Sequence, residues 1–265
     1  MLRAYGATDK GRVRIRNEDR FAVDEGLQLL VVADGLGGHN AGEVASQLAV
    51  DNLVEFVRGS RAPINGANSA AEWPFGFDPA LTAAGNAVRT GICLANAQIL
   101  EKAMTTEEYS GMGTTLVVAL VEGNRVSVGH VGDSRMYLLT SGRLRALTSD
   151  DSWAAAMLAQ NPAMDPEEIR DHPMRNALTN VVGGGARTRV HVIEETLSAG
   201  DVLLLSTDGV HGVLSAQSLE RLLSATDDLC AMAAGVISAA MSQGSRDNCT
   251  AVVARYDPAK PATEL

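Results

Sequence analysis

Four aspartates stand where an apolar run meets a turn. Asp34 ends the run LLVVAD, Asp208 ends VLLLSTD, Asp133 follows VSVGHVG, and Asp247 opens DNCTAVVARY. A short apolar run bounded by glycine is the pattern of a buried strand. If these strands share one sheet system, the carboxylates converge at its rim. Converging carboxylates repel one another, and some must take up protons unless cations neutralise them. With only oxygen donors and no His/Cys set, the natural cations are Mg²⁺ or Mn²⁺. Each aspartate alone is equally well a turn or strand-edge residue; it is the four together that raise the metal alternative. Gly35 directly follows Asp34, and without a Cβ its carbonyl can approach a cation closely.

Arg14 lies just ahead of Asn17-Glu18-Asp19, at the expected end of a strand. A guanidinium offers a fork of donors suited to phosphate oxygens, although a surface arginine on a strand reads the same way. Gly37-Gly38 resembles a phosphate-cradling loop but lacks the spacing of a dinucleotide fingerprint. His39 is either an acid/base group beside the site or a solvated loop histidine. Ser134 and Ser206 show no neighbouring base of the kind a catalytic triad needs, which disfavours a serine nucleophile.

The elements that must position these residues come in blocks. Strands are expected at 2–7, 12–16, 21–24 and 27–33, followed by helices at 42–58 and 80–104 separated by a Gly/Pro/Asn-rich loop at 59–79. Strands at 114–121, 125–130 and 135–140 form an antiparallel meander. Helices at 153–160 and 166–171, strands at 189–195 and 202–206, helices at 215–224 and 227–241 and a strand at 249–256 complete the chain. Blocks of strands and helices without strict alternation indicate an α+β architecture. The net charge of −10 argues against a nucleic-acid binder, which needs a basic face. Cys93, Cys230 and Cys249 are odd in number and widely spaced, so neither a disulfide framework nor a zinc site is expected. There is no apolar signal core and no run of membrane-spanning length, so a cytoplasmic protein with no membrane partner is expected.

Several segments together resemble one family, the metal-dependent protein phosphatases of the PPM (type-2C) class in their bacterial form. They are RIRNEDR (14–20), VVADGLGGHNAGEVAS (31–46), SGMGTT (110–115), VGHVGDSRMYLL (128–139), LTSDDS (147–152), HPMRNALTNVVG (172–183), DVLLLSTDGV (201–210) and SRDNCTAVV (245–253). The resemblance implies a four-layer αββα sandwich, two antiparallel β-sheets flanked by helices, as a single catalytic domain over 1–257. A flap at about 150–185 and a polar tail at 258–265 belong to the same expectation. It implies two core Mg²⁺ or Mn²⁺ ions and a third, weaker one. By position, Asp34 matches the carboxylate bridging the core metals and Gly35 a backbone-carbonyl ligand. Asp208 and Asp247 match the other ligands of the first metal, and Glu18 a second-metal residue acting largely through water. Asp133 matches a ligand of the third metal, shared with Asp208, and Arg14 the phosphate-binding arginine.

Three departures accompany the match. Leu36 stands where animal relatives often carry a histidine proposed as general acid, so that role is vacant or passes to His39 or a metal-held water. Asp151 replaces a histidine common in the family, which puts flap-side hydrogen bonding in doubt, and Thr207 replaces the more usual serine. The implied function is hydrolysis of phosphoserine and phosphothreonine in phosphoproteins by a monomeric enzyme opposing a bacterial serine/threonine kinase. Rival readings are a pseudophosphatase that binds phosphoproteins without turnover, and a nucleotide-binding oxidoreductase. The second lacks the βαβ context of a dinucleotide fold.

Overall fold

The computed structural model describes residues 1–38, 41–60 and 73–258. In chain order the strands are β1 (Leu2–Asp9), β2 (Asp19–Asp24), β3 (Leu29–Leu36), β4 (Gly113–Thr114), β5 (Leu116–Glu122), β6 (Arg125–Val131), β7 (Arg135–Thr140), β8 (Arg143–Ala146), β9 (His191–Thr196), β10 (Val202–Ser206) and β11 (Cys249–Tyr256). The helices are α1 (Ala41–Ser60), α2 (Ala83–Thr105), α3 (Trp153–Gln160), α4 (Pro166–Arg170), α5 (Asp208–His211), α6 (Ala216–Ser224) and α7 (Leu229–Ser242). One sheet runs β1-β11-β10-β7-β8 and the other β2-β3-β5-β6-β9, with β4 paired to β3. Every pairing is antiparallel.

The unbroken apolar runs that mark β3 and β10 follow from burial on both faces. Side chains alternate along a strand. On β3, Leu30 and Val32 pack between the sheets with Leu203, Leu205, Val252 and Met136. Leu29, Val31 and Ala33 point the other way, against Ala45, Ala49 and Leu53 of α1 and Val88 and Ile92 of α2. On the second sheet, Val202 and Leu204 turn outward onto Leu219 and Leu223 of α6 and Met232 and Val236 of α7. Three apolar layers therefore separate four layers of structure, the αββα order that the resemblance implies.

Some boundaries differ from expectation. Residues 12–16 are not a strand; Val13 is 54% and Ile15 90% exposed. Their apolar alternation has no layer to bury into, and the backbone is held by a side chain instead: Asn248 Nδ2 donates to the Lys10 and Arg16 carbonyls. Arg14 thus sits on a loop and not at a strand end. β3 does not stop at the Asp34-Gly35 pair but continues to Leu36, because Gly35 and Leu36 pair with Thr114 and Gly113. β8 was not expected; it is short, largely exposed and carries no buried alternation to mark it. α1 extends to Ser60, so the predicted 59–79 loop is shortened at its start, and its 61–72 portion lies outside the described residues, as does most of the tail. The flap region holds α3 and α4; a bridge between Ser152 and Leu178 closes it on itself, and one between Thr114 and Val182 ties its end to the body at β4.

Candidate active site

Strand parity carries the acids to one end of the inter-sheet space. Asp34 shares the face of Leu30 and Val32. Across the β2–β3 ladder its direct partner is Asp19, which shares the face of Phe21 and Val23. From the other sheet, β10 ends at Ser206, Thr207 caps α5, and Asp208 begins it. Asp247 and Asn248 immediately precede β11. The turn Gly132-Asp133-Ser134 joins β6 of one sheet to β7 of the other; Gly132 takes φ +96°, which favours glycine at that position.

Arg14, Glu18, Asp34, Gly35, Asp133, Asp208 and Asp247 line a single cleft of about 200 Å³. His39 lies outside the described residues. Gly35 is required here for space as well as for its bare backbone. A Cβ at that position would collide with the Gly42 carbonyl oxygen, where α1 crosses β3 closely. The Asp34 backbone is pinned on both sides: its carbonyl accepts from Thr115 N and Thr114 Oγ1 at 2.8 Å each, and its N–H donates to Thr115 Oγ1 at 3.1 Å.

The electrostatics are those of like charges held out of water. Burial, then Asp19, Asp208, Asp133 and Asp247 as neighbours, pushes the Asp34 carboxyl well above its ordinary range. Burial and Asp208 raise Asp133 to about 7. Burial and Asp247 raise Asp208, partly offset by Arg14 and by a hydrogen bond with the Asp34 side chain. The Asp34 and Asp208 carboxyls are thereby biased toward the protonated form when no cation is bound. Burial raises Glu18 against the opposing pull of Arg14. Arg14 Nη2 meets Asp247 Oδ2 at 2.6 Å, the main reason the guanidinium is held more firmly protonated.

The donor set suits a hard divalent cation. Every side-chain donor of the acids is oxygen, their pKa values rise through burial and then through mutual repulsion that a cation would relieve, and Asp208 Oδ1 is buried with no hydrogen-bond partner. Among the described residues no group of three or more His, Cys, Asp or Glu side chains is already arranged as a cage.

Sequence reasoning passed over four residues. Asp19 is 1% exposed, and its Oδ2 accepts from Thr207 Oγ1 at 2.9 Å and Thr250 Oγ1 at 2.6 Å, hydroxyls supplied by the opposite sheet. Burial raises it to about 7 against those two bonds. Its signal was parity, since it sits two residues before Phe21 on an inward face. The threonine at 207 in place of serine keeps this hydroxyl. Asn248 fixes the Arg14 loop and accepts from Glu18 N at 2.8 Å. Asn176 and Leu178 bring the flap to the cleft. A base does lie near Ser206: His211 Nδ1 is 3.2 Å from its Oγ. Ser206 is fully buried, so no substrate reaches that pair. The doubt about Asp151 is also resolved. Its carboxylate accepts from Gly132 N at 3.1 Å, Asn180 Nδ2 at 2.7 Å and Arg189 Nη2 at 3.2 Å, and pairs with His191 Nε2 at 3.0 Å. The flap side is hydrogen-bonded more fully than a neutral imidazole acceptor would allow.

The family model for protein phosphatase 2C matches residues 9–244. The chain belongs to the protein phosphatase 2C family. It is 33% identical to the serine/threonine phosphatase stp of Listeria welshimeri over 95% of each chain. It is 35% identical to the serine/threonine protein phosphatase PstP of Mycobacterium tuberculosis, over 96% of this chain and 45% of that longer one. Among solved structures, Stp1 of Staphylococcus aureus superposes with a TM-score of 0.82 at 33% identity, covering 97% of this chain and 96% of that one. The catalytic domain of PstP in complex with two manganese ions gives 0.75 at 32% identity, covering 96% and 97%. The family supports the phosphatase reading and removes the oxidoreductase alternative.

The raised Asp133 pKa has a measurable consequence. The folded, chelated protein keeps a proton on Asp133 up to about pH 7, whereas the unfolded chain releases it near 4. Between those values the folded state binds more protons, so this residue makes stability fall as pH rises. Chelated wild type should therefore lose stability relative to Asp133→Asn from about pH 4 to 7, by up to about 1.4 kcal/mol per pH unit. A stability difference that is flat across this window, measured by urea unfolding in EDTA, would contradict the assignment.

Proposed function

We propose that this chain is a metal-dependent protein serine/threonine phosphatase whose hydrolytic centre is the cleft bounded by Asp34, Asp208 and Asp247. The reaction class follows from family membership, and phosphoproteins are the substrates. The observation that carries the site assignment is the gathering of Asp34, Asp133, Asp208 and Asp247 in one cleft where burial and mutual repulsion raise the first three. Bound Mg²⁺ or Mn²⁺ would supply an activated water and neutralise charge on the attacking and leaving oxygens.

The chain's own residues divide the remaining work. Asp34 and the Gly35 carbonyl would hold the core ions, with Asp208 and Asp247, which arrive from the opposite sheet, as further ligands of one of them. Glu18, on the loop that Asn248 fixes, would act toward the other through water. Asp133, with Asp208, would hold the third, weaker ion. Arg14 is half exposed at the cleft and paired with Asp247, which leaves donors of its guanidinium free to orient a phosphate and offset its charge. Because Leu36 cannot move a proton, protonation of the leaving oxygen would fall to His39 or to a metal-held water. Residues 1–257 act as one catalytic domain, supported by the near-complete family match. The enzyme works as a cytoplasmic monomer against a serine/threonine kinase; among the described residues no helix is long and apolar enough to cross a membrane.

Hydrolysis of a phosphothreonine peptide should require Mn²⁺ or Mg²⁺, stop in EDTA, and fall about 100-fold or more in Asp34→Ala and Asp208→Ala. Turnover unaffected by chelation would sink the metal mechanism, and no turnover by the metal-loaded wild type would favour a phosphoprotein-binding pseudophosphatase. Arg14→Ala should raise KM for phosphopeptides about tenfold, more than it lowers kcat; unchanged KM and kcat would remove Arg14 from the substrate site.

A further inference from the structure

Asp151 is one of the residues at which this chain departs from the pattern of the resemblance, and it is 4% exposed. Its carboxylate reaches in three directions at once. One oxygen accepts from Gly132 N, the residue before Asp133, and from Asn180 Nδ2 in the flap. The other meets His191 Nε2 and Arg189 Nη2 at the start of β9. The backbone repeats the link: Asp151 N donates to the Gly132 carbonyl at 2.9 Å, and Thr179 N donates to the Asp151 carbonyl at 2.8 Å. His191 is itself held in place, stacked on its cross-strand partner His130 with ring centroids 4.8 Å apart, while His130 Nε2 bonds the Ser149 carbonyl at 2.9 Å. Just before Thr179 and Asn180 come Asn176 and Leu178, which line the same cleft as the acids.

We propose that Asp151 is a positioning residue that locks the Gly132-Asp133 turn to the flap, so that the weak metal position at Asp133 and the order of residues 176–180 depend on one another. This deepens the metal-dependent phosphatase reading and rests on it. A buried carboxylate can satisfy donors from the turn, the flap and β9 together, whereas a neutral histidine presents one acceptor nitrogen. The Asp151–His191 pair is therefore this chain's substitute for a histidine at position 151. Removing the acid leaves Gly132 N without its side-chain acceptor and Asn180 Nδ2 with only the Arg189 carbonyl, so the turn and the flap keep only the backbone link through residue 151 and are coupled more loosely. The link ends on the flap residues at the cleft mouth, so occupation of the Asp133 position stiffens the surface that a phosphoprotein meets.

The test compares wild type, Asp151→Ala and Asn180→Ala, the last removing the flap-side bond to Asp151 together with the two side-chain bonds that Asn180 makes to the Arg189 backbone. Mn²⁺ titration by calorimetry reads the tight and weak classes of site, and amide hydrogen exchange of the chelated protein reads the flap. Both variants should weaken the weak class about tenfold, leave the tight class unchanged, and speed exchange at 176–181. A residue that merely stabilises the fold would lower the melting temperature without separating the two classes. Weak-class affinity and flap exchange at wild-type values in Asn180→Ala would overturn the proposal, as would equal loss of both classes in a folded Asp151→Ala. A wild type that binds no Mn²⁺ would overturn the metal reading and this inference together, whereas normal metal binding with unresponsive variants would overturn this inference alone.

Discussion

Repulsion among carboxylates held out of water is the constraint on which the rest of this structure depends. Two sheets packed face to face leave an open end, and both deliver acids to it: Asp19 and Asp34 from neighbouring strands of one, Asp208 and Asp247 from the other, and Asp133 from the turn that links them. No arrangement of hydrogen bonds alone removes that cost. Thr207 and Thr250 satisfy one oxygen of Asp19 but leave Oδ1 unpartnered, and Asp208 Oδ1 is likewise orphaned. Burial, with neighbouring carboxylates adding to it, pushes Asp19 and Asp133 up to about 7, so that protons offset part of this cost when no cation is bound. Divalent cations can do the same while adding chemistry that protons cannot.

The surrounding fold is rigid where this matters. Three apolar layers fix the relative height of the sheets, and Asp34 is gripped through its backbone by Thr114 and Thr115. The Arg14 loop has no ladder of its own and is held by Asn248, whose neighbour Asp247 is the guanidinium's partner. One short stretch at the head of β11 thus sets both an acid and the arginine that would orient phosphate.

Much of this was legible in the residues. Apolar runs leading into an acid marked β3 and β10, and one leading out of an acid marked β11, because burial on both strand faces leaves no polar alternation to obscure them. The Arg14 loop was misread as a strand because Val13 and Ile15 alternate like one, yet they face solvent; a side-chain clamp from the far end of the chain has no local signature. Asp19 went unassigned because its meaning lies in cross-strand register and in two hydroxyls that its own segment does not contain. Asp151 was taken for a weakness because its compensating partners, Asn180 and His191, are distant in sequence.

The central claim is that cations replace protons on the clustered acids. Calorimetric titration of Mn²⁺ into chelator-stripped protein near pH 6.5, repeated in buffers of different ionisation enthalpy, counts the protons released on binding. The account predicts net release at pH 6.5 that shrinks as pH rises above 7 and is reduced in Asp133→Asn. Metal binding with no proton release at pH 6.5 would contradict it.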